Sequence, residues 1–190
     1  MLFRSVQVRN KGTIGGSLAH ADPAADWPAA AVSLRAELVA ASARGERVIA
    51  ADDFFVDMLT TALRPDEVLR EIRINAPHAR TGQSYMKVHH PASGFAVVGV
   101  AVTLTLGGEG KCSSVGVGVT GVATKVYRAA QVESALAGST LDEQTIADAA
   151  SHAADGVDAN GDIYASADYR RHLAAVYTRR AVAAAVANVR

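Results

Sequence analysis

The sequence of 190 residues has one cysteine, Cys112, and no excess of charge of either sign. A single cysteine excludes an intrachain disulfide, a CxxC redox pair and a cysteine-held zinc or iron–sulfur site. Nineteen basic residues balance nineteen acidic ones, a balance that disfavours nucleic acid and anionic membranes as partners. Because the sequence has only one cysteine, any redox metal would have to lie on another chain.

Long apolar runs are also missing. The longest stretch, Phe95 to Leu106, is interrupted by glycine and threonine and is far shorter than the roughly 20 residues that span a bilayer. The opening segment, Met1 to Lys11, lacks the apolar core of a signal peptide. We therefore expect a soluble, cytoplasmic protein with no membrane span.

Loop-forming residues between Pro77 and Gly82 divide the sequence into two predicted units, 1–78 and 79–190. In the first unit we expect a helix that starts close to Asp26, with Asp22 or Asp26 as an N-cap. A hairpin with Gly45 at its turn should follow, and then a helix after Asp52 and a strand over 67–74. The helix after Asp52 would contain Phe54, Phe55, Met58 and Leu59 at helical spacing.

The second unit begins with a predicted antiparallel sheet. Strands are expected over 85–89, 95–106 and 113–121. The second and third of them alternate bulky and small residues, so that one face of the sheet can admit a helix or a partner chain closely. Three helices are predicted after it, with a capping box at Thr140 and Glu143 before the second of them. The arginines of the last helix, 169–189, are expected to form a solvated face. These residues are Arg170, Arg171, Arg179 and Arg180.

The segment from Gly12 to Asp26 concentrates glycines, hydroxyls and carboxylates. Such a loop can hold a phosphorylated cofactor, because Gly15 and Gly16 would let backbone amides approach it directly. No lysine follows the glycines as in a Walker loop, and the spacing does not match GxGxxG. From the residues alone, an ordinary tight turn before a helix is the simpler interpretation.

Lys87 is a second candidate, on a predicted strand where it shares a face with His89. Two interpretations are open: a solvated lysine at a strand edge, or a cation directed at a developing anion such as a reduced flavin. Cys112 is expected to be a small buried hydrophobe, because no basic group is fixed beside it.

The sequence VRNKGTIGGSLAHADPAAD, from Val8 to Asp26, resembles the second flavin-binding motif of the FAD-binding medium subunit in the molybdenum hydroxylase family. Carbon monoxide dehydrogenase and xanthine dehydrogenase belong to that family. The similarity continues in order through DDFF, TTALRPDEVLREIRI, YMKVHHPASGFAVVGVAV and YRRHLAAVYTRRA. Several ordered blocks favour a cofactor site over the simple turn.

The resemblance implies an α+β fold. It would be the second lobe of a two-lobed FAD-binding domain of the PCMH type, followed by a C-terminal domain with a three-stranded antiparallel sheet and helices. The resemblance also implies which residues bind the cofactor, with no catalytic residue and no metal ligand on this chain. Those residues would be Thr13, Ile14, Gly15, Gly16, Ser17, Asp22, Asp26, Leu69 and Lys87.

The implied chemistry is electron transfer. A molybdenum-binding large subunit would oxidise the substrate, an iron–sulfur small subunit would carry the electrons, and FAD on this chain would deliver them to an external acceptor. The family's first FAD lobe is expected to be absent here, which leaves a fragment, a truncated product and a split subunit with a separate first lobe open. A cofactor-free assembly protein and an unrelated nucleotide-binding module are the alternatives.

Overall fold

The computed structural model describes residues 6–190, with side chains described from residue 8 onward. The part of the signal-peptide prediction that falls on residues 1–5 lies outside the described residues. The helices are α1 (Val6–Lys11), α2 (Ile14–His20), α3 (Asp26–Ser33), α4 (Ala51–Phe54), α5 (Ala130–Leu136), α6 (Glu143–Ser151) and α7 (Ala167–Ala187). The strands are β1 (Glu37–Ser42), β2 (Gly45–Ala50), β3 (Phe55–Asp57), β4 (Thr60–Thr61), β5 (Val68–Arg73), β6 (Thr81–His89), β7 (Ala96–Leu106), β8 (Cys112–Thr120) and β9 (Tyr127–Arg128).

The described strands form three antiparallel sheets, with the orders β2-β1-β5, β3-β4 and β6-β7-β8-β9. This arrangement confirms the predicted α+β class and the hairpin at Gly45, whose φ is 123°. The largest sheet contains the three long strands expected from the sequence. It adds β9, a strand of two residues. Within residues 6–190, no helix combines the length and the apolar character that crossing a membrane requires.

The bulky face of the large sheet builds the main core. Valines and a leucine that alternate along β7 pack with α7, and helices α5 and α6 complete the same cluster. Gly82 of β6 lies directly beneath α7, because a Cβ there would fall 1.9 Å from the carbonyl oxygen of Ala185. This face is therefore closed by helices from the second predicted unit.

The small face of the same sheet holds α3, as its small residues predict. A Cβ added at Gly116 would lie 2.1 Å from the carbonyl oxygen of Ser33, and one at Gly118 would lie 2.2 Å from that of Ala29. The backbone of α3 therefore touches β8 directly, which only glycine permits at these two positions. Since α3 comes from the first predicted unit, the division after residue 78 stays a prediction.

The helix predicted after Asp52 is wrong beyond its first turn. α4 ends at Phe54, and β3 and β4 form a hairpin with Met58 and Leu59 at its tip. Leu59 has a φ of 52°, and its N–H donates to the carbonyl oxygen of Ala21 at 3.2 Å. Phe54 and Phe55 are buried, whereas the two tip residues are about half exposed. Phe54, Phe55, Met58 and Leu59 therefore do not form the apolar face of one helix, although their spacing is helical.

The predicted capping box before α6 is also wrong. Asp142 is the N-cap, and its carboxylate accepts a hydrogen bond from the N–H of Thr145 at 2.9 Å. The Thr140 hydroxyl donates to the same carboxylate at 3.0 Å. Because aspartate caps at least as well as threonine, the nearer carboxylate takes the position.

The solvated arginine face expected on the last helix is wrong for Arg170. Its guanidinium is buried and donates to the carbonyl oxygens of Val97 and Gly121 and to the carboxylate of Asp162. The buried residues of α7 form a stripe that includes Arg170 and leaves out Tyr169, which is 48% exposed. The residues of this stripe are Arg170, Leu173, Ala174, Thr178, Ala181, Val182 and Ala185.

Candidate functional site

The glycine segment expected to form a loop is the helix α2, so the prediction of a turn at Gly15 and Gly16 is wrong. Thr13 caps this helix, and its side-chain Oγ1 accepts a hydrogen bond from the N–H of Gly16 at 2.9 Å. Neither of these glycines has a positive φ. They provide two adjacent positions without side chains in the first turn of α2, between Ile14 and Ser17.

Neither aspartate of the segment caps α3. The residue before this helix is Ala25, and Asp26 is its first residue. Asp22 instead closes the preceding turn, where its carboxylate accepts a hydrogen bond from the N–H of Ala24 at 2.8 Å. Both carboxylates nevertheless lie close to the end of α2, at one side of a cavity.

This cavity, of about 590 Å³, lies between α1, α2 and the start of α3. Its volume is within the range of small-molecule sites. Six residues that the sequence assigns to the cofactor line it, whereas Gly15, Leu69 and Lys87 are not among the lining residues. The six are Thr13, Ile14, Gly16, Ser17, Asp22 and Asp26; the cavity is also lined by Val8, Arg9, Lys11, Gly12, His20, Ala25 and Trp27.

Leu69, which does not line the cavity, packs in the core next to α2. It packs in the core cluster that contains Leu18 of α2, and Ile72 packs in the same cluster. Ile72 comes three positions after Leu69, so ideal alternation would place the two side chains on opposite faces of β5. The register shift opposite Val39 and Ala40 inserts a bulge at this point, and both side chains therefore turn inward.

The position of α3 above the small face is fixed at its first turn. The hydroxyl of Thr120, fully buried on β8, lies 2.6 Å from the carbonyl oxygen of Pro23 and 3.0 Å from that of Ala25. These contacts hold the start of α3 over β7 and β8. Asp26, the first residue of α3, consequently lies within reach of two long side chains of β6, those of Tyr85 and Lys87.

Asp26 is 4% exposed and forms a buried ion pair with Lys87. Nζ of Lys87 lies 3.0 Å and 2.8 Å from the two carboxylate oxygens and 2.9 Å from the carbonyl oxygen of Gly94. These three contacts account for the three protons of the ammonium group. Lys87 is therefore not a solvated edge lysine, and its charge is balanced by a carboxylate that lines the cavity.

Tyr85 completes this cluster. Its hydroxyl donates a hydrogen bond to Oδ1 of Asp26. Burial, and then the negative charge of Asp26, raise the pKa of Tyr85 well above its usual range. The phenol therefore stays protonated and acts as a donor, so that Asp26 carries two donors from one strand.

Several cavity residues were not singled out from the sequence. Arg9, Lys11 and Trp27 lie within or next to the quoted motif, so their proximity to it was the available signal. Tyr85 stands two residues before Lys87, and the period of two along a strand places both on one face. That periodicity could have identified Tyr85, whereas its contact with Asp26 spans 59 residues.

The free thiol in the described part of the chain lies outside the cavity lining. Cys112 is buried, as expected, and burial raises the pKa of its thiol. In the part of the chain that the structure describes, no three His, Cys, Asp or Glu side chains come together as a metal centre would require.

The residues of the cavity fit a flavin nucleotide. Gly12 and Gly16 both line it, and a Cβ at either would lie 2.9 Å from an oxygen atom of Val8 or Thr13. Larger side chains at these two positions would therefore disturb the lining of the cavity. Two cations, two hydroxyls and an apolar wall that includes Trp27 surround it, which matches the phosphates, the polar chain and the aromatic ring of such a ligand.

The two helical glycines can be separated by experiment. Gly15 has no atom within 4 Å of an added Cβ, so Gly15→Ala should raise the free energy of unfolding by about 0.5–1 kcal/mol through helix propensity. Gly16→Ala should lose that gain, because its Cβ meets the capping oxygen of Thr13. Chemical denaturation of both variants measures the difference, and equal stabilities would contradict this description of α2.

Comparison with known proteins identifies the family of this chain. Residues 83–185 match the family model of the CO dehydrogenase flavoprotein C-terminal domain, and residues 2–77 match that of the FAD binding domain in molybdopterin dehydrogenase. Both descriptions refer to flavoproteins and do not favour the cofactor-free alternative.

Relatives with curated names are similar over nearly all of the chain. The carbon monoxide dehydrogenase medium chain of Afipia carboxidovorans is 35% identical over 100% of this chain and 66% of its own length. Subunit alpha of the 6-hydroxypseudooxynicotine dehydrogenase complex of Paenarthrobacter nicotinovorans is 35% identical over 97% of this chain and 62% of its own length. The chain thus spans about 61–66% of the length of the first curated relatives it matches.

A solved structure gives the same result. The carbon monoxide dehydrogenase from Hydrogenophaga pseudoflava that lacks the Mo-pyranopterin moiety of its cofactor superposes with a TM-score of 0.94 at 35% identity. The match covers 100% of this chain and 66% of the other. Quinoline 2-oxidoreductase from Pseudomonas putida 86 superposes with a TM-score of 0.87 at 32% identity. That match covers 97% of this chain and 64% of the other.

Proposed function

Since the chain belongs to the family of the CO dehydrogenase flavoprotein C-terminal domain, we propose that it is the FAD-binding electron-transfer part of a medium subunit in a molybdenum-containing hydroxylase or dehydrogenase. Residues 1–78 would be part of the second FAD lobe, and residues 79–190 the C-terminal domain. The observation that carries the proposal is the cavity over α2, where Gly16 leaves one position of the first helical turn without a side chain, and where cations, hydroxyls and a buried carboxylate share the lining.

The lining residues have distinct tasks in this proposal. Arg9 and Lys11 would neutralise the phosphates, and Thr13 and Ser17 would offer hydroxyls to the polar chain of the cofactor. Asp26 would accept a hydrogen bond, and Trp27 would contribute apolar surface. Bound FAD would supply reversible two-electron redox chemistry, while the protein positions it and tunes its surroundings.

The partners follow from the same proposal. An iron–sulfur small subunit would deliver electrons that a molybdenum-binding large subunit takes from the substrate, and the flavin would pass them to an external acceptor. The only cysteine of this chain is buried at Cys112, so clusters held by cysteine require another subunit. A separate first FAD lobe would complete the cofactor site, and the assembly would work in the cytoplasm.

Titration with FAD tests the proposal directly. The chain would be mixed with the first FAD lobe of a related medium chain, and the fluorescence of Trp27, the single tryptophan, would report binding in the cavity. We expect quenching that saturates at one FAD per complex. The Gly16→Val variant should bind FAD about tenfold more weakly or worse, because a branched side chain narrows the cavity.

Gly108→Ala serves as the control, since an added Cβ there meets nothing and Gly108 lies outside the cavity lining. It should keep the affinity of the unmodified chain. Full FAD affinity in the Gly16→Val variant would show that the cavity over α2 is not the cofactor site, and no quenching in any mixture would contradict the proposed function itself.

A further inference from the structure

The cluster of Asp26, Tyr85 and Lys87 connects the cavity to the large sheet. Asp26 is its only member that lines the cavity, while Tyr85 and Lys87 project from β6 on the side covered by α3. Two donors from one strand thus hold a single carboxylate that belongs to another element. The resemblance that assigns Asp26 and Lys87 to the cofactor leaves Tyr85 without a role.

The sheet is shaped to admit the phenol of Tyr85. On the neighbouring strand β7, a Cβ at Gly99 would lie 2.4 Å from the Tyr85 hydroxyl. Gly99 pairs with Lys87 in the register of β6 and β7, and Ala101 pairs with Tyr85. The small residues of β7 therefore leave room for both long side chains to reach Asp26 across the same face.

The donors divide unequally between the two oxygens of Asp26. Oδ1 accepts from Tyr85 and from Lys87, while Oδ2 accepts from Lys87 alone. An ionised carboxylate has about four acceptor positions, so among the described residues these three contacts leave one. Because the Tyr85 hydroxyl donates to Oδ1 and not to Oδ2, it opposes rotation of the carboxylate about the Cβ–Cγ bond and so helps to set the direction of the remaining position.

We propose that Tyr85 is a positioning residue for the flavin site, which holds the Asp26 carboxylate so that its free acceptor position meets a donor group of the bound FAD. This inference rests on the proposed function. Tyr85 acts through Asp26 and makes no contact with the cofactor of its own. Lys87 compensates the negative charge of Asp26, and Tyr85 sets the orientation of the Asp26 carboxylate.

A double-mutant cycle on FAD affinity tests the inference. Tyr85→Phe removes only the hydroxyl, and Asp26→Asn keeps the size of the side chain but removes its charge. In the complex with the first lobe, we expect Tyr85→Phe to weaken FAD binding about tenfold. Adding Tyr85→Phe to Asp26→Asn should cause little further loss, since the group through which it acts is already changed.

Tyr127→Phe is the matched control. Tyr127 is another tyrosine whose hydroxyl donates to the protein, at 2.9 Å from the carbonyl oxygen of Ala153, and it lies outside the cavity lining. Its loss should lower thermal stability without changing FAD affinity. The comparison separates a general loss of stability from a loss of positioning.

The outcomes are distinguishable. Normal FAD affinity in Tyr85→Phe, or losses that add fully in the double variant, would overturn the role of Tyr85 while leaving the proposed function intact. A complex in which even the unmodified chain fails to bind FAD would overturn both. Weakened binding in Tyr85→Phe that disappears in the Asp26→Asn background would support the positioning role.

Discussion

Replacing Lys87 with methionine is expected to lower the free energy of unfolding by about 3–5 kcal/mol, because it leaves the buried carboxylate of Asp26 without its cation. The side chains of Lys87 and Asp26 are 1% and 4% exposed, so water cannot take over the lost interaction. The hydroxyl of Tyr85 remains as a donor, but one neutral hydrogen bond does not balance a buried charge.

Urea denaturation followed by far-UV circular dichroism measures this effect. The double variant Asp26→Asn/Lys87→Met should recover much of the loss, since it removes both charges together. Lys111→Met provides the control, because Lys111 and Glu109 form an exposed pair with side chains 50% and 80% accessible. That variant should stay within about 0.5 kcal/mol of the unmodified chain. Equal losses in Lys87→Met with and without Asp26→Asn would contradict the importance of the buried pair.

The faces of the large sheet were predictable because they depend on local alternation. Bulky and small residues alternate along β7 and β8, and the structure packs α7 on the bulky face and α3 on the small one. The sequence predicted that a helix or a partner chain could approach the small face. It could not identify α3 as the element that packs there, because the residues around Gly116 and Gly118 do not indicate which segment of the chain approaches them.

Elements that depend on hydrogen bonds to backbone groups far away in sequence were not predictable. Arg170 looked like a solvated helix residue, yet two carbonyl oxygens, 73 and 49 residues away in sequence, accept from it. The short helix α4 gives way to a hairpin for a similar reason. Its tip is tied to Ala21, and the two phenylalanines enter the core without the residues that follow them.

The candidate site shows the same division. Its motif is contiguous, so six of the assigned residues meet at one cavity over α2. The contact between Asp26 and Lys87 spans 61 residues, and only the docking of α3 on β8 brings the two together. Period-two alternation could have joined Tyr85 to Lys87, but the sequence contains no signal for what that pair holds.

The largest effect is expected from completing the cofactor site. The 190-residue chain by itself should bind FAD about a thousandfold more weakly than the same chain mixed with a first FAD lobe. The chain spans only 61–66% of the length of its first curated relatives, and the family resemblance places a phosphate-binding lobe in the remainder. A cofactor held between two lobes loses the contacts of one, while the cost of immobilising it is nearly unchanged.

Fluorescence titration of FAD into the chain alone, and then into the chain mixed with the first lobe of the Afipia carboxidovorans medium chain, measures this ratio. A loss of ~4 kcal/mol of contacts corresponds to the expected thousandfold difference. The chain should fold in both cases, since its two core clusters are closed by its own helices and strands. Tight stoichiometric binding by the chain alone would show that the first lobe is dispensable. If the chain is folded but binds no FAD in either titration, the cofactor-free assembly alternative is supported instead. The cavity over α2 would then hold no flavin even when both lobes are supplied.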